Sequence, residues 1–431
     1  MSKFHIKTWG CQLNYADSEK IEAVLLGAGW IKSEKMEDSD LIILNTCSVR
    51  QRAEDKVAGL GRKIKKLKSK NKNLKVVMTG CMSQRIDRGC KDKTAYDPKY
   101  LKSMRRRFKW IDYFVNIGDL SSIYKIATGK KRSFSHDNAE QSYASSIAAF
   151  VPISKGCNNF CTYCIVPYTR GKEEHRSLNS IVREVRELVK NGCKLITLLG
   201  QNVNSWTGTV KGKNVGFSYL LAKIARIRGE FWLTFLTSHP KDFNDELADV
   251  MAKYDKICPY LNLPIQSASN KVLEKMNRGY TWLDYLAKIE YLSEKLPNIR
   301  LSTDVIVGFP GETEEDFEET VAFIEKIWYG MIYISEFSPR KGTGAALMKD
   351  DVPLAEKKRR KKRLESIQVK IMKKQNERIV GKEVEVLVLS SNAGKTKDLR
   401  DVEVISGSGK IGKIVKGKVK SASIGGLVVK I

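Results

Sequence analysis

Short apolar runs and longer amphipathic stretches alternate along most of this chain. The apolar runs end in small or polar side chains, as at 41–46 and 195–199. Runs of this kind predict buried strands, whereas apolar residues at every third or fourth position, as at 181–189, predict amphipathic helices. Parallel strands need such helical crossovers to reach their neighbours. The pattern therefore predicts an α/β fold for the larger part of the chain.

A cysteine follows each of three predicted strands near the N-terminus. The strands and their cysteines are 4–10 with Cys11, 41–46 with Cys47, and 74–80 with Cys81. About 35 residues separate one cysteine from the next, the length of one strand–helix–strand unit. In a doubly wound parallel sheet the carboxyl ends of the strands meet at one edge, so the three thiols should converge. This arrangement predicts a three-thiolate iron–sulfur site with one open iron, and three buried structural cysteines are the alternative.

A second group of cysteines has the spacing CxxxCxxC. Cys157, Cys161 and Cys164 come shortly after the apolar run at 148–153. Three thiolates on a 4Fe–4S cluster leave one iron open to a substrate or cofactor, so the site is predicted to be catalytic. A zinc site with a borrowed fourth ligand is the alternative, but no His or further Cys follows at ligand spacing.

Beyond residue 148, predicted strands and helices continue to alternate. The strand candidates are 148–153, 195–199, 232–237, 260–264, 300–307 and 332–337. Six parallel strands predict a partial (β/α)6 barrel, open on one side, with functional residues at the carboxyl ends of its strands. Gln201 and Asn202 lie at such an end. Asp304 lies inside a strand, directly before the apolar residues 305–307, and needs a partner if it faces inward.

The C-terminal part of the chain changes character. Residues 357–363 are seven consecutive cations that open a helical stretch. A run of like charge is usually a solvated helix face, but seven in succession favour a phosphate backbone as neighbour. Alternating valines at 384–388 and the Gly and Ser residues that follow predict a small β-barrel in the style of oligonucleotide-binding folds.

Charge supports a nucleic-acid partner. The 431 residues carry a formal net charge of +28, which favours a polyanion, nucleic acid before membrane. No apolar run approaches the roughly 18 residues that span a bilayer, and the N-terminus lacks the apolar core of a secretory signal. We therefore expect a cytoplasmic protein whose cysteines serve metal binding or catalysis rather than disulfides. Three further cysteines fit no ligand pattern and are predicted to be ordinary apolar residues: Cys90, Cys193 and Cys258.

Several motifs together resemble the radical S-adenosylmethionine (SAM) methylthiotransferases. They are GCQLN at 10–14, NTCSVR at 45–50, TGC at 79–81, the cysteine loop through PYTRG at 156–171, and LGQNVNSW at 199–206. The last of these resembles the branch that acts on tRNA already carrying N(6)-isopentenyladenosine. The resemblance covers nearly the whole chain, with departures at His175, where the family usually has Ser, and at Asn262, where it usually has His.

The resemblance implies an architecture. It divides the chain into an N-terminal α/β domain with an auxiliary cluster at 1–128, a linker at 129–147, a radical SAM partial barrel ending in a basic helix at 148–378, and a TRAM-like RNA-binding β-barrel at 379–431. The cluster ligands are then Cys11, Cys47 and Cys81 in one domain and the catalytic Cys157, Cys161 and Cys164 in the other. The expected SAM contacts are Tyr163, Arg176, Gln201, Asn202 and Asp304. Because Arg170 and Arg176 follow the cysteine loop closely, both are expected near the SAM carboxylate, and a solvated charged loop is the alternative.

The resemblance also implies a reaction. A C–H bond at carbon 2 of the modified adenine, next to the anticodon, is replaced by a methylthio group. The cofactors are two 4Fe–4S clusters and SAM. One SAM methylates sulfur at the auxiliary cluster and a second is cleaved to a radical. The partners are the tRNA anticodon stem–loop, a reducing electron donor and a sulfur source, and we expect a monomer with no membrane association.

Three other functions fit parts of the sequence. A sister enzyme could use N(6)-threonylcarbamoyladenosine in tRNA. Another could modify a ribosomal protein, although such an enzyme needs less cationic surface. A non-catalytic iron–sulfur RNA-binding protein would keep the charge and the cysteines but would not cleave SAM.

Overall fold

The computed structural model describes residues 1–47, 51–83, 98–134, 147–405 and 411–431. Motif residues 48–50, Cys90, and positions 135–146 of the predicted linker lie outside this part of the chain. Within it, no helix is long and apolar enough to cross a membrane.

The N-terminal part forms a parallel five-stranded sheet in the order β2-β1-β3-β4-β5. Its strands are β1 Lys3–Trp9, β2 Ile31–Lys32, β3 Leu41–Thr46, β4 Lys75–Gly80 and β5 Tyr113–Phe114. Its helices are α1 Gln12–Gly27, α2 Gln51–Gly59, α3 Gly61–Lys70, α4 Pro98–Arg107 and α5 Leu120–Thr128. Alternate residues of β3 and β4 enter two different hydrophobic cores. Helices therefore cover both faces of the sheet, which confirms the doubly wound prediction.

The central part forms six parallel strands that curve into an incomplete barrel. They occur in two three-stranded sheets, joined where Leu233 bridges Ile257. The barrel strands are β6 Ala148–Pro152, β9 Leu195–Leu199, β12 Trp232–Phe235, β13 Tyr260–Asn262, β14 Arg300–Val307 and β15 Met331–Glu336. Two antiparallel ribbons lie outside the barrel: β7 Ser154–Lys155 pairs with β8 Glu174–His175, and β10 Thr207–Val210 pairs with β11 Lys213–Gly216. The six strands are those predicted, with ends that differ by one or two residues.

Helices connect these strands, and the longer ones each bury one apolar stripe against the barrel. They are α6 Val166–Arg170, α7 Leu178–Lys190, α8 Phe217–Ala225, α9 Asp245–Lys253, α10 Asn270–Lys275, α11 Trp282–Lys295 and α12 Glu314–Ile327. Thr313 caps α12 and forms a capping box with Asp316, as the sequence predicts. A long helix, α13 Leu354–Glu377, then packs against β15.

The C-terminal part is a closed barrel in the order β16-β17-β18-β20-β19. Its strands are β16 Glu383–Val388, β17 Ala393–Thr396, β18 Asp401–Ile405, β19 Ile414–Ser423 and β20 Gly426–Lys430. Val386, Val402 and Val429 belong to its core. Leu387 faces the other way and packs against Leu195 and Trp232 of the central barrel. The small β-barrel is therefore confirmed, and it docks on the central barrel through an apolar contact.

Candidate active site

The structure brings the three N-terminal cysteines to one edge of the parallel sheet. Trp9, Thr46 and Gly80 lie level in the register of β1, β3 and β4, so the residues that follow emerge side by side. Cys47 and Cys81 are buried, and their sulfurs are hydrogen-bonded to each other. The convergence expected from the sequence is thus present in the fold.

Two asparagines tie the loop of Cys11 to the strand of Cys47. Asn14 accepts from the Cys11 thiol at 3.4 Å and donates to Asn45 at 2.9 Å, and both asparagine side chains are fully buried. Asn45 in turn donates to the Asn14 carbonyl at 2.7 Å. These contacts give the Asn of GCQLN and the Asn of NTC a structural role that sequence reasoning did not assign.

Gly80 is required by the backbone directly before Cys81. Its φ is +94°, and an added Cβ would lie 2.3 Å from the Thr46 carbonyl oxygen. A side chain would therefore push β4 away from β3 and move Cys81 out of the triad.

Arg170 lies at this N-terminal triad. Its Nε donates to the Cys81 sulfur at 3.3 Å and its Nη2 to Asp17 at 3.2 Å. The expectation that Arg170 would sit beside Arg176 at the SAM carboxylate is therefore wrong. The hydrogen bond with Cys47, with the charge and hydrogen bond of Arg170, lowers the pKa of Cys81 to about 5. Cys81 is consequently a thiolate at neutral pH, the form that binds iron.

The second triad lies in the loop between β7 and α6. Gly156 has φ +77°, and a Cβ there would lie 2.1 Å from the Lys172 carbonyl oxygen. The Cys157 N–H donates to the Gly171 carbonyl at 3.2 Å, and Thr162 donates to the carbonyls of Met276 and Lys275. The loop is thereby fixed on two sides by backbone contacts.

Burial controls the protonation of this triad. It raises the pKa of Cys157 and raises that of Cys164 to about 12. Both sulfurs are thus thiols until a bound cation compensates for their desolvation. Within the described residues, no three His, Cys, Asp or Glu side chains converge on one metal ion. A 4Fe–4S cluster has no such requirement, because each thiolate binds a different iron.

Arg278 contacts this second triad. Its Nη1 lies 3.3 Å from both the Cys161 sulfur and the Tyr163 hydroxyl, and its Nη2 donates to the Pro264 carbonyl at 2.9 Å. The Arg278 side chain is buried. Sequence reasoning missed it, because it lies 117 residues from Cys161 and belongs to no motif.

A cleft of about 1180 Å³ opens beside Cys164 along β14, β15 and the start of α13. Tyr163 and Asp304 line it, together with the cations Arg340 and Lys361. Asp304 accepts a hydrogen bond from Asn262 at 3.2 Å. Two of the predicted SAM-contacting residues are thereby brought next to the second triad.

Other predicted cofactor residues lie at the carboxyl ends of β6 and β9, and they do not line this cleft. Arg176 donates to the Pro152 carbonyl and to Ser180, both at 2.8 Å, and forms an ion pair with Glu184 at 2.6 Å. Asn202 donates to Asp242 at 2.6 Å. Arg176 is therefore occupied with holding the end of β6.

Seven of the thirteen buried side-chain N and O atoms without a hydrogen-bond partner in the described part of the chain lie at the mouth of the barrel. They are Ser154 Oγ, both amide atoms of Gln201, Asn202 Oδ1, Ser238 Oγ, His239 Nε2 and Gln266 Oε1. Such groups are normally satisfied, so a cluster of them indicates a polar ligand. The amino, carboxylate, hydroxyl and adenine groups of SAM provide matching donors and acceptors. The residues present therefore fit the expected cofactor.

Strain and charge at the same mouth support this interpretation. Thr237 and Gln266 have φ of 70° and 71°, a conformation that costs energy and is concentrated at functional sites. Burial, followed by the charges of Arg278 and Lys241, lowers the pKa of His239 to about 2. Because Nδ1 of this neutral imidazole accepts from the Lys241 N–H at 3.2 Å, its Nε2 carries a proton toward the ligand space.

The run of cations at 357–363 is mostly paired with carboxylates. Five of its members form ion pairs: Lys357 with Asp350, Arg359 with Glu314 and Glu356, Arg360 with Glu312, Lys361 with Glu336, and Arg363 with Glu318. Among described residues, Lys358 and Lys362 are exposed and have no ion-pair partner. The run therefore docks α13 on the barrel and offers two cations to a phosphate backbone.

Comparison with known proteins gives two family matches. A model described as the Radical SAM superfamily matches residues 151–324, and one described as Uncharacterized protein family UPF0004 matches residues 3–98. The two matches contain the second and the first cysteine triad, respectively.

Curated relatives match over nearly the full length. A tRNA-2-methylthio-N(6)-dimethylallyladenosine synthase of Clostridium botulinum (strain Hall) is 40% identical over 98% of this chain and 95% of the relative. The enzymes of the same name from Dictyoglomus thermophilum and Moorella thermoacetica are each 39% identical, over 98% and 96% of this chain and 97% and 91% of their own.

Solved structures share the fold. The radical SAM methyltransferase TsrM from Kitasatospora setae, solved with cobalamin and a [4Fe-4S] cluster bound, superimposes with a TM-score of 0.54 at 15% identity, covering 80% of this chain and 77% of TsrM. The cobalamin-dependent radical enzyme OxsB gives a TM-score of 0.51 at 11% identity, over 87% of this chain and 56% of OxsB. At these identities the likeness concerns the fold alone.

Proposed function

We infer that this chain modifies tRNA, because it belongs to the tRNA-2-methylthio-N(6)-dimethylallyladenosine synthase family of radical SAM methylthiotransferases. It replaces the C–H at carbon 2 of N(6)-isopentenyladenosine, next to the anticodon, with a methylthio group. The observation that carries this inference is full-length identity of 40% to an enzyme of that name. Two cysteine triads at the carboxyl edges of two α/β units supply the matching chemistry.

The enzyme uses two 4Fe–4S clusters and SAM. We propose Cys11, Cys47 and Cys81 as the ligands of one cluster and the catalytic Cys157, Cys161 and Cys164 as those of the other. When bound, the second cluster with SAM would supply radical hydrogen abstraction, and the first cluster would supply sulfur transfer. The chain itself holds the thiols in register, buries Cys47, Cys81 and Cys161, and places polar groups around the open side.

We further propose how the chain binds SAM. Tyr163, Gln201, Asn202 and Asp304 contact the cofactor directly. This is supported by the unsatisfied amide of Gln201, by the unsatisfied Oδ1 of Asn202 and by the cleft beside Cys164. Arg176 acts through Pro152, because its guanidinium fixes the end of β6. Buried polar groups that gain partners only on binding would favour the bound state strongly.

The partners and organisation follow from the same premise. The substrate is tRNA, bound through its anticodon stem–loop. We propose that the enzyme works as a cytoplasmic monomer with a reducing electron donor and a sulfur source. We also propose domain limits at 1–128, 148–378 and 379–431, with a linker at 129–147 and a TRAM-like role for the C-terminal barrel.

One experiment tests the function. Anaerobically reconstituted protein is supplied with SAM, dithionite and tRNA bearing N(6)-isopentenyladenosine, and the nucleosides are analysed by mass spectrometry. We expect the 2-methylthio derivative, and none on matched tRNA that lacks the isopentenyl group. Product only on tRNA bearing N(6)-threonylcarbamoyladenosine, or only on ribosomal protein, would assign a sister activity. Failure to cleave SAM would indicate a non-catalytic RNA-binding protein.

A further inference from the structure

Each cysteine triad is contacted by one buried arginine. Arg170 Nε lies 3.3 Å from the Cys81 sulfur in the first triad. Arg278 Nη1 lies 3.3 Å from the Cys161 sulfur in the second. The two arginine residues are only 8% and 4% exposed. The same kind of contact, a guanidinium N–H beside a cysteine sulfur, therefore occurs at both triads. No single sequence motif contains both arginines.

Arg170 reaches its cysteine from a different part of the fold. It ends α6, the helix that follows the CxxxCxxC loop, and its side chain extends to Cys81 and to Asp17 of α1 in the N-terminal unit. The next residue, Gly171, accepts the hydrogen bond from the Cys157 N–H at 3.2 Å. Arg170 thus links the backbone at the second triad to a sulfur of the first.

A buried guanidinium must change the energetics of a cluster at this distance. Its charge is permanent, and burial protects it from screening by salt. Reduction adds a negative charge to a cluster, so a cation and a hydrogen bond at a ligand sulfur favour the reduced form. Charge and hydrogen bonds to the sulfurs are among the factors that set such potentials.

We propose that Arg170 is a positioning residue that raises the reduction potential of the N-terminal cluster, and that Arg278 does the same for the central cluster. This inference rests on the proposed function, because it takes the two triads as cluster ligands. Asp17 opposes Arg170, since its carboxylate lies 3.2 Å from Nη2 and offsets part of the cation's charge.

The test uses full-length protein with one cluster at a time. A variant with Cys157, Cys161 and Cys164 changed to Ala retains the N-terminal cluster, and one with Cys11, Cys47 and Cys81 changed to Ala retains the central cluster. Iron per chain is measured first, and each cluster is then titrated with dithionite while its reduced form is followed by electron paramagnetic resonance. The potential, rather than methylthiolation, is the quantity compared.

Each arginine substitution should change the reduction potential of only the cluster that the arginine contacts. Arg170→Gln should lower the ratio of reduced to oxidised N-terminal cluster at least tenfold at fixed potential, about 59 mV for one electron, and leave the central cluster unchanged. Arg278→Gln should do the reverse. Asp17→Asn should raise the N-terminal potential, because Arg170 is kept and an opposing charge is lost. A purely structural role does not predict this opposite sign.

The iron contents and the potentials together distinguish a failure of the arginine proposal from a failure of the cluster assignment. About four irons in each triple variant, with potentials unmoved by the arginine changes, overturns the inference and leaves the cluster assignment standing. No iron in either triple variant overturns the assignment itself. If Arg170→Gln loses its cluster, Asp17→Asn decides, because it keeps Arg170 and removes the opposing charge: a raised potential supports the proposal, and an unshifted potential rejects it.

Discussion

Salt dependence of tRNA binding should distinguish the paired cations of α13 from the unpaired ones. Each phosphate contact contributes about 0.9 on duplex and about 0.7 on single strands to the slope of log affinity against log salt. Lys358 and Lys362 are the exposed cations of the 357–363 run without an ion-pair partner among described residues. If both touch phosphate, changing both to Gln should flatten the slope by about 1.4 to 1.8.

The corresponding difference in tRNA affinity between the double variant and the unmodified protein is large enough to measure. Between 50 and 200 mM salt, the double variant should lose about tenfold less affinity than the unmodified protein, because two fewer counterions are released. Fluorescence anisotropy with labelled tRNA over a series of KCl concentrations gives the slope directly. Cognate and non-cognate tRNA should be affected alike, since phosphate contacts carry no sequence information.

Arg359→Gln is the matched control. It removes one cation from the same helix, but that cation is already paired with Glu314 at 2.5 Å and with Glu356 at 2.7 Å. We expect an unchanged slope. The reasoning is refuted if Arg359→Gln flattens the slope as much as the double variant, or if the double variant leaves it unchanged. In the second case, flattening by Lys65→Gln with Lys66→Gln would place the RNA over α3, where both lysines are exposed.

Three further predictions concern the clusters and the fold. Reconstituted protein should hold about eight irons; changing Cys157, Cys161 and Cys164 to Ala should remove about half of them and all SAM cleavage, whereas changing Cys11, Cys47 and Cys81 should stop methylthiolation and leave SAM cleavage intact. Gly156→Ala should lower the iron of the central cluster, because its Cβ would lie 2.1 Å from a carbonyl, whereas Gly212→Ala, at φ +76° with no atom within 4 Å, should keep full iron. Burial, followed by the charges of Glu22 and Glu184, raises the pKa of Glu19 to about 7. The folded state therefore binds the Glu19 proton more tightly than the unfolded state does, and the stability that this proton contributes is lost as pH rises from 4.5 through 7. Glu19→Gln should therefore stabilise the protein in thermal unfolding at pH 8, by roughly 1 kcal/mol after discounting for partial exposure, and the gain should shrink toward pH 4.5.

The sequence predicted β3 and β4 because their apolar runs are continuous and almost fully buried, and it predicted β1 from the alternation of its residues. It could not predict β2 and β5, since strands of two residues have no readable alternation. It identified both triads from spacing and from position after a strand. The contacts that complete these triads come from elsewhere in the fold, as Arg278 does for Cys161.

Charge was the least predictable feature. Seven adjacent cations look like an RNA surface, but most of them are paired with carboxylates, and several of those partners are distant in the sequence. Arg359 pairs with Glu314 and Arg363 with Glu318, both on α12 and about 45 residues earlier, and Lys361 pairs with Glu336 of β15. Only the packing of α13 against the barrel brings them together. For the same reason, Arg170 was placed at the wrong site: its motif lies beside the second triad, while its side chain extends to the first.

Apolar packing, independent of iron, fixes the two triads relative to one another. Leu13 and Ala16 of α1 pack with Leu199 at the carboxyl end of β9, and all three are buried. These contacts involve no cofactor, so the docking of the N-terminal sheet on the mouth of the barrel does not depend on either cluster. Preorganisation of this kind lowers the entropic cost of binding. In the function proposed above, sulfur from one cluster reaches a carbon activated at the other, and this step requires such a fixed geometry. Arg170 adds a polar contact across the same junction.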